Sequence, residues 1–440
     1  MGNYRNRLVL SAGFVALAMG QAAHADFIKD SKATLELRNF YENLNNRESD
    51  KTSVKEWGQG AIFKFQSGYT EGLVGFGIDA IGMYGVRLDG GGRQGKPGQS
   101  REPSVSGVFP YTHGGHAEHD FSKGGLTGKM KISETDLHIG ALQPNMPVAV
   151  TNDGRMLPQI YKGGQLTSKE FEGLTLTAGR LDHTKTRASS DDVPFSIGGA
   201  SEQSNKFYFG GADWKVTDDL TLQYYYGQLK DFYKQHFLGL KHNWELPVGA
   251  LKTDLRYFHS DSDGKNGSSH GRGDGYVSGG YWNDGDPDRG EVDNDLWSAK
   301  LAYSLYGHEF SVGYQHLTGD SDFPWLNPGG GADPYLITNM LVNKFSAAGE
   351  RTWQVGYAYN FKEAGIDGLK ALVVYNKGDH IDTAGSSNEE WERDFRIDYV
   401  IPEGRFKGLG VTYRNGVFRS NDSDDRDEHR FYVTYTFSLL

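Results

Sequence analysis

The sequence predicts an all-β chain, a transmembrane antiparallel β-barrel of about 18 strands with long extracellular loops. Three observations carry this: a strand-favouring composition, an export leader, and connections whose lengths alternate along the chain. The 440 residues include 60 Gly, 25 Tyr, 24 Phe and 8 Trp but only 13 Pro. Aromatic and β-branched side chains fit a pleated surface, and a glycine share about twice ordinary usage argues against a helical bundle. There is no cysteine. That excludes disulfide frameworks, thiol nucleophiles, Cys-ligated zinc and iron–sulfur clusters.

The leader comes first. Arg5 and Arg7 precede an apolar run from Leu8 to Met19, and Ala23-His24-Ala25 offers the small residues a signal peptidase reads. Residues 1–25 are therefore expected to be a signal peptide and 26–440 the barrel. The apolar run is shorter than the ~20 residues a membrane-crossing helix needs. Removing the leader leaves 44 basic against 57 acidic side chains, a charge of about −13. An acidic exported chain is a poor nucleic-acid partner.

Period-two alternation then places strands in order near 33–41, 58–68, 72–79, 124–132, 135–142, 164–168, 174–181, 205–215 and 219–229. They continue near 233–243, 250–260, 294–305, 308–317, 350–360, 369–376, 391–400, 409–419 and 428–439. Short turns such as Ser133-Glu134, Thr217 to Asp219, Tyr306-Gly307 and Pro402 to Lys407 fall at alternate joints. The other joints are long and polar, at 42–57, 80–123, 143–163, 183–204, 261–293, 318–349 and 377–390, with Lys230 to Phe232 the one short exception. Sorting of loops by parity is the mark of an outer-membrane barrel, with periplasmic turns at one end and extracellular loops at the other. In the last strand Phe431, Val433, Tyr435, Phe437 and Leu439 share one face, suited to lipid, while Arg430, Tyr432, Thr434, Thr436 and Ser438 share the other. Clusters such as Tyr224-Tyr225-Tyr226 suit the interfacial girdles.

Several segments resemble, in fixed order, the OprD (Occ) family of substrate-specific outer-membrane channels. They begin with Leu37-Arg38-Asn39-Phe40-Tyr41, Glu56-Trp57-Gly58-Gln59-Gly60, Ser67-Gly68-Tyr69-Thr70-Glu71-Gly72 and Val74-Gly75-Phe76-Gly77-Ile78-Asp79-Ala80. Gln143-Pro144-Asn145-Met146-Pro147-Val148, Arg155-Met156-Leu157-Pro158-Gln159-Ile160-Tyr161, Leu174 to Arg180 and Phe431 to Leu440 complete the set. The resemblance implies an eighteen-stranded barrel, third and seventh loops folded into the pore, and a row of arginines guiding carboxylate-bearing solutes. Two features depart from the family pattern. Arg414 stands alone on the penultimate strand with Thr412 at the alternate position, and the chain ends in Leu440 rather than an aromatic residue.

Parity places Arg38, Arg396, Arg414 and Arg430 inside, on strands that become neighbours when the barrel closes, and Lys129 and Lys131 inside on the fourth. Fixed cations lower the cost of dehydrating a carboxylate, and weak sites in series let it move on. The competing expectation is that these arginines brace the barrel against Glu36, Asp394 and Asp398. By resemblance Arg155 and Tyr161 of the third long loop belong to the constriction, with Asp320 of the seventh as the opposing acid. Arg180, of outward parity near the rim, joins the basic path only by family position.

Other signals carry less. Gly90 to Lys96 has phosphate-loop spacing, but Pro97 replaces the hydroxyl residue and no helix follows. His113, His116 and His119 recur in a Gly-rich loop and lack a convincing fourth ligand. There is no Gly-x-Ser-x-Gly elbow, and scattered Ser, His and Asp do not define a triad. The expected function is facilitated diffusion of small carboxylate-bearing solutes, organic or aromatic acids and amino acids, across the outer membrane of a Gram-negative bacterium. The alternatives are a channel for neutral or oligosaccharide solutes and a barrel hydrolase. Neither cofactor, metal nor catalysis is expected. The expected partners are the solutes, outer-membrane lipid and lipopolysaccharide, the barrel-assembly machinery and, in a loose homo-trimer, other copies.

Overall fold

A computed structural model describes residues 27–47, 53–90, 107–112, 115–327, 332–383 and 388–440. The expected leader lies outside these residues. Eighteen strands form one closed antiparallel sheet. They are β1 (Lys32–Asn46), β2 (Val54–Gln66), β3 (Gly75–Asp89), β4 (Asp120–Ile132), β5 (Thr135–Leu142), β8 (Ile160–Phe171), β9 (Leu174–Lys185), β10 (Phe207–Lys215) and β11 (Leu220–Leu229). The rest are β12 (Tyr233–Glu245), β13 (Ala250–Ser262), β14 (Asp293–Leu305), β15 (His308–Thr318), β16 (Arg351–Asn360), β17 (Leu369–Ile381), β18 (Asn388–Val400), β19 (Gly410–Ser420) and β20 (Arg426–Ser438). Between β5 and β8 the third loop carries a two-residue hairpin, β6 (Asn145–Met146) and β7 (Ala149–Val150).

Each strand pairs with the next, and β1 closes the ring on β20 from Thr34 opposite Ser438 to Asn46 opposite Arg426. Closure leaves no open edge, so every barrel strand finds its backbone partners without water, which the bilayer interior demands. The outward faces carry exposed apolar side chains, among them Leu126, Ile139, Leu238, Val355, Phe395 and Phe431. In a soluble sheet these would be a liability; on a membrane barrel they are the lipid contact.

All eighteen strands expected from alternation are present, with moved boundaries. The strand read near 164–168 runs over Ile160–Phe171, and the third strand continues to Asp89. The Lys230–Phe232 connection stays short between β11 and β12, with Asp231 at φ 69°.

Buried apolar side chains gather inside the barrel, where the loops enter. One cluster joins Phe40, Ile62, Met83 and Phe121 on the wall to Phe109, Met156 and Leu157 from loops. Glycines make the fit possible. A Cβ at Gly58 would lie 2.6 Å from Met156 Sδ, and one at Gly85 would lie 2.5 Å from Met156 Cε. The other cluster packs Tyr161, Phe195, Phe207, Phe237, Phe258 and Phe323, joining wall residues to the loops after β9 and β15. Burial of these large side chains, each contributing about 1.5–3 kcal/mol, holds the loops against the inner wall.

Candidate functional site

The third loop crosses the lumen and is tied to the wall through three consecutive residues. Arg38 on β1 forks onto Asp153, Nη1 to Oδ1 at 2.6 Å and Nη2 to Oδ2 at 3.3 Å, and Nη1 also donates to the Arg155 carbonyl at 2.8 Å. Its Nε donates to Glu36 at 2.8 Å. Arg430 on β20 donates through Nη1 to the Gly154 carbonyl at 2.8 Å. Arg155 reaches back to the wall, with Nη2 3.1 Å from Glu42 Oε1 and Nη1 donating to the Gly107 carbonyl at 2.6 Å. Glu42 also lies 3.6 Å from Arg430 Nε, and Glu428 bonds that same nitrogen. Buried charges this close are kept by mutual pairing, since an unpaired one would cost several kcal/mol.

The seventh long loop, residues 319–350, meets the third. Asp333 forms an isolated β-bridge with Val150, and its carboxylate lies 3.0 Å from Lys344 Nζ. Burial would raise this carboxyl, but Lys344 and Arg187 outweigh it and hold Asp333 below the usual carboxylate range. Arg187, on the loop after β9, donates to Asn152 Oδ1 at 3.1 Å. Its burial, with Arg155 and Arg430 close by, pulls its guanidinium down to about 9. On the far side β18 grips the loop by its backbone. Asp394 accepts from Leu341 N at 2.9 Å, and the two oxygens of Glu392 accept from Val342 N and Asn343 N, each at 2.8 Å.

Below these loops runs a row of arginines. Arg396 pairs in register with Arg414, and Arg414 with Arg430. Strands lie about 5 Å apart and tilt by about 40°, so such a row climbs about 3 Å along the barrel axis per strand. Arg396 is exposed at the periplasmic vestibule, a cavity of about 920 Å³ that it lines with Lys370 and Asp398. It pairs with Asp398 at 2.7 Å. Arg414, half-buried, makes no hydrogen bond or ion pair with any described residue, although Asp394 is near enough to act on its charge.

The other expected site residues fall elsewhere. Lys129 is buried on Asp79 at 2.7 Å and the Ser67 carbonyl at 2.7 Å, and Lys131 sits 3.5 Å from Glu134 at the periplasmic turn. Three assignments need correction. Tyr161 is fully buried, its hydroxyl on the Val150 carbonyl at 3.2 Å and its ring 5.9 Å from Phe195, so it packs behind the third loop and does not face the lumen. Asp320 is exposed where the seventh loop leaves β15, and the acid meeting the third loop is Asp333. Arg180 keeps its outward parity, paired with Asp182 at 2.6 Å and 5.7 Å from the Tyr208 ring, so it lies outside the lumen. Arg38, Arg155 and Arg430 are inside as expected, yet all three act as braces on acids and loop carbonyls.

Among the described residues no three His, Asp or Glu side chains converge on a metal-sized site. His119 contacts Arg87 at 2.8 Å, and His113 lies outside the described residues. Strand parity also carried signals not used above. Lys241, Arg256 and Lys300 alternate with apolar residues and face inward on β12, β13 and β14.

The comparisons with known proteins agree with this architecture. The family model described as outer membrane porin, OprD family, matches residues 25–439. The porin-like protein GalP of Pseudomonas putida is 34% identical over 426 residues, 96% of this chain and 95% of that protein. Porin D of Pseudomonas aeruginosa is 30% identical over 468 residues, 98% of each. The crystal structure of P. aeruginosa OccK8 (OprE) superposes with a TM-score of 0.87 at 52% identity, covering 94% of this chain and 100% of that one. That of P. aeruginosa OpdK with vanillate gives 0.82 at 32%, with the same coverage. Matched along nearly its whole length, with a closed 18-stranded barrel, the chain belongs to the OprD family of porins, in the outer membrane of a Gram-negative bacterium.

Proposed function

We propose that this porin passes small carboxylate-bearing solutes, organic and aromatic acids in particular, by facilitated diffusion along the Arg430, Arg414 and Arg396 row. The observation that carries the reading is Arg414. It is a half-buried lumen guanidinium with no acid bonded to it among the described residues, set in register between Arg430 and Arg396. A guanidinium never loses its charge at working pH and meets a carboxylate with two parallel N–H donors. In a narrow lumen such a donor replaces part of the water a carboxylate must shed, and a neighbouring cation about 5 Å away gives it somewhere to go next. The solved OpdK relative is complexed with vanillate, an aromatic carboxylate, which supports the same class here.

In this reading residues 1–25 are removed on export, the assembly machinery inserts the barrel, and lipopolysaccharide surrounds its outer rim. The test is the reversal potential of the mature protein in a planar bilayer under a salt gradient, with benzoate and an aliphatic carboxylate competing for current. Anion preference with carboxylate-dependent block supports the reading. Cation preference without block overturns it, and the absence of both charge preference and block overturns it in favour of neutral solutes.

A further inference from the structure

The constriction and the arginine row use cations from β18, β19, β20 and β1. A second basic group stands on a different part of the wall, on β12, β13 and β14, where it touches the seventh loop. Asp254 pairs in register with Lys241 on one side and Lys300 on the other. Arg256, one inward position above Asp254, forks onto that carboxylate at 2.9 and 2.6 Å. Its Nη1 donates to the Tyr335 carbonyl at 3.1 Å, and its guanidinium carbon sits 4.0 Å from the centre of the Tyr335 ring. Lys241 Nζ is 5.6 Å from the same ring centre. Arg256 and Lys241 are thus both committed to holding loop residue Tyr335.

Lys300 is not so committed. It is half-buried, faces the lumen, and makes no hydrogen bond or ion pair with any described residue, although Glu309, Arg256 and Asp254 act on its charge. Its place is fixed by its register partner Gly313, where a Cβ would lie 3.2 Å from Ile337 Cδ1 of the seventh loop. Lys300 therefore stands directly beside the loop that narrows the pore. Asp254 is taken by Arg256, and Glu309 lies 3.5 Å from Lys252 Nζ, so among the described residues two acids face the four cations Lys241, Lys252, Arg256 and Lys300, which leaves two positive charges uncompensated there. An ammonium that has shed part of its water without gaining an acceptor is costly unless something supplies one.

We propose that Lys300, backed by Arg256 and Lys241, is a second carboxylate station: it takes the carboxylate of a permeating solute as it clears the seventh loop, on a path separate from the Arg414 row. The inference rests on the carboxylate reading above and adds a branch to it. A solute then has two routes past the constriction, one along guanidinium groups and one at an ammonium. An ammonium is a point charge with rotatable donors, so it accepts a carboxylate in more orientations than a planar fork does.

The experiment is single-channel recording of the mature protein in planar bilayers, with benzoate titrated as the probe, on the parent and on Lys300→Gln, Lys300→Arg, Arg414→Gln and the double Lys300→Gln/Arg414→Gln. Two saturable components of block are expected in the parent. Lys300→Gln weakens one component, raising its half-blocking concentration three- to tenfold, Lys300→Arg retains it, and Arg414→Gln weakens the other. The double variant weakens both. If Lys300→Gln matches the parent, or if Lys300→Arg weakens the component as much as Lys300→Gln does, the second station is overturned while the first stands. If the parent shows no benzoate block at all, the carboxylate reading itself fails.

Discussion

Arg430 and Gly154 are 276 residues apart in sequence, yet Arg430 Nη1 donates to the Gly154 carbonyl at 2.8 Å, and Tyr432 donates to the same oxygen at 2.9 Å. Two donors from the last strand on one loop carbonyl fix the height of the third loop in the lumen. The same guanidinium neutralises Glu428 and lies 3.6 Å from Glu42, both buried. Arg430→Gln leaves two carboxylates short of a counter-charge, and breaking such a pair costs about 3–5 kcal/mol. Urea unfolding of the barrel in lipid vesicles should show that loss. Stability within ~1 kcal/mol of the parent would mean that Arg430 is not a brace.

Arg414→Gln should behave in the opposite way. Among the described residues the side chain has no direct partner to orphan, so stability should change by no more than ~1 kcal/mol. Carboxylate flux should fall on the order of tenfold, the equivalent of about 1.4 kcal/mol of lost binding along the path. Arg396→Gln, at an exposed site already paired with Asp398, should cost twofold or less in the same flux assay. Equal losses at the two positions would dissolve the distinction between a committed and an uncommitted guanidinium.

The alternation of the chain made the barrel legible, because a period of two needs only local sequence. Where it misled, glycine was the cause. Gly163 and Gly164 break the pattern of β8 beside a bulge at Lys162, so that strand read as five residues and runs for twelve. Parity also placed Arg38, Arg414 and Arg430 inside. What it did not reveal is who holds them. The partners Asp153, Gly154 and Leu341 come from loops whose paths no periodicity dictates. Asp320 and Tyr161 failed for that reason: both are in or next to the right loops, but only packing decides that Asp333 meets the third loop and that Tyr161 turns into the aromatic cluster. Glu42 and Glu428 were visible as inward acids near Arg430, and could have signalled a brace.

Gly154→Ala tests how closely the third loop is seated. A Cβ there would lie 3.1 Å from Asn152 Oδ1, 3.2 Å from Arg430 Nη1 and 3.4 Å from Arg187 Nη1. The backbone itself tolerates alanine, so the cost is crowding of two guanidinium groups, about 1–3 kcal/mol for an overpacked site. The expected readout is a loop that shifts by a few tenths of an ångström and a changed single-channel conductance in an otherwise normal barrel. An unchanged conductance together with unchanged stability would show that the loop has slack at this point.

The base of the seventh loop should respond to pH through Glu350. Its carboxylate accepts from Ala347 N at 3.1 Å and from the Thr352 hydroxyl at 3.2 Å. Burial, with Glu390 facing it, pushes the Glu350 carboxyl well above the ordinary range, and burial raises Asp322, which accepts from Ala348 N at 3.0 Å, in the same direction. Asp382, beside Gly349, is raised by burial and by Asp320, with His380 opposing. A carboxyl raised in the held state binds its proton more tightly there than when the loop is released. The held state is then most favoured below the ordinary carboxylate pKa, and loses that advantage as pH rises toward the raised value. Conductance fluctuations should therefore grow as the pH rises above the ordinary carboxylate range, and Glu350→Gln, which keeps a neutral side chain at every pH, should weaken that dependence. A pH dependence that survives in full in Glu350→Gln would assign it to Asp322 or Asp382, and fluctuations that instead grow on acidification would place the titrating group away from the loop base.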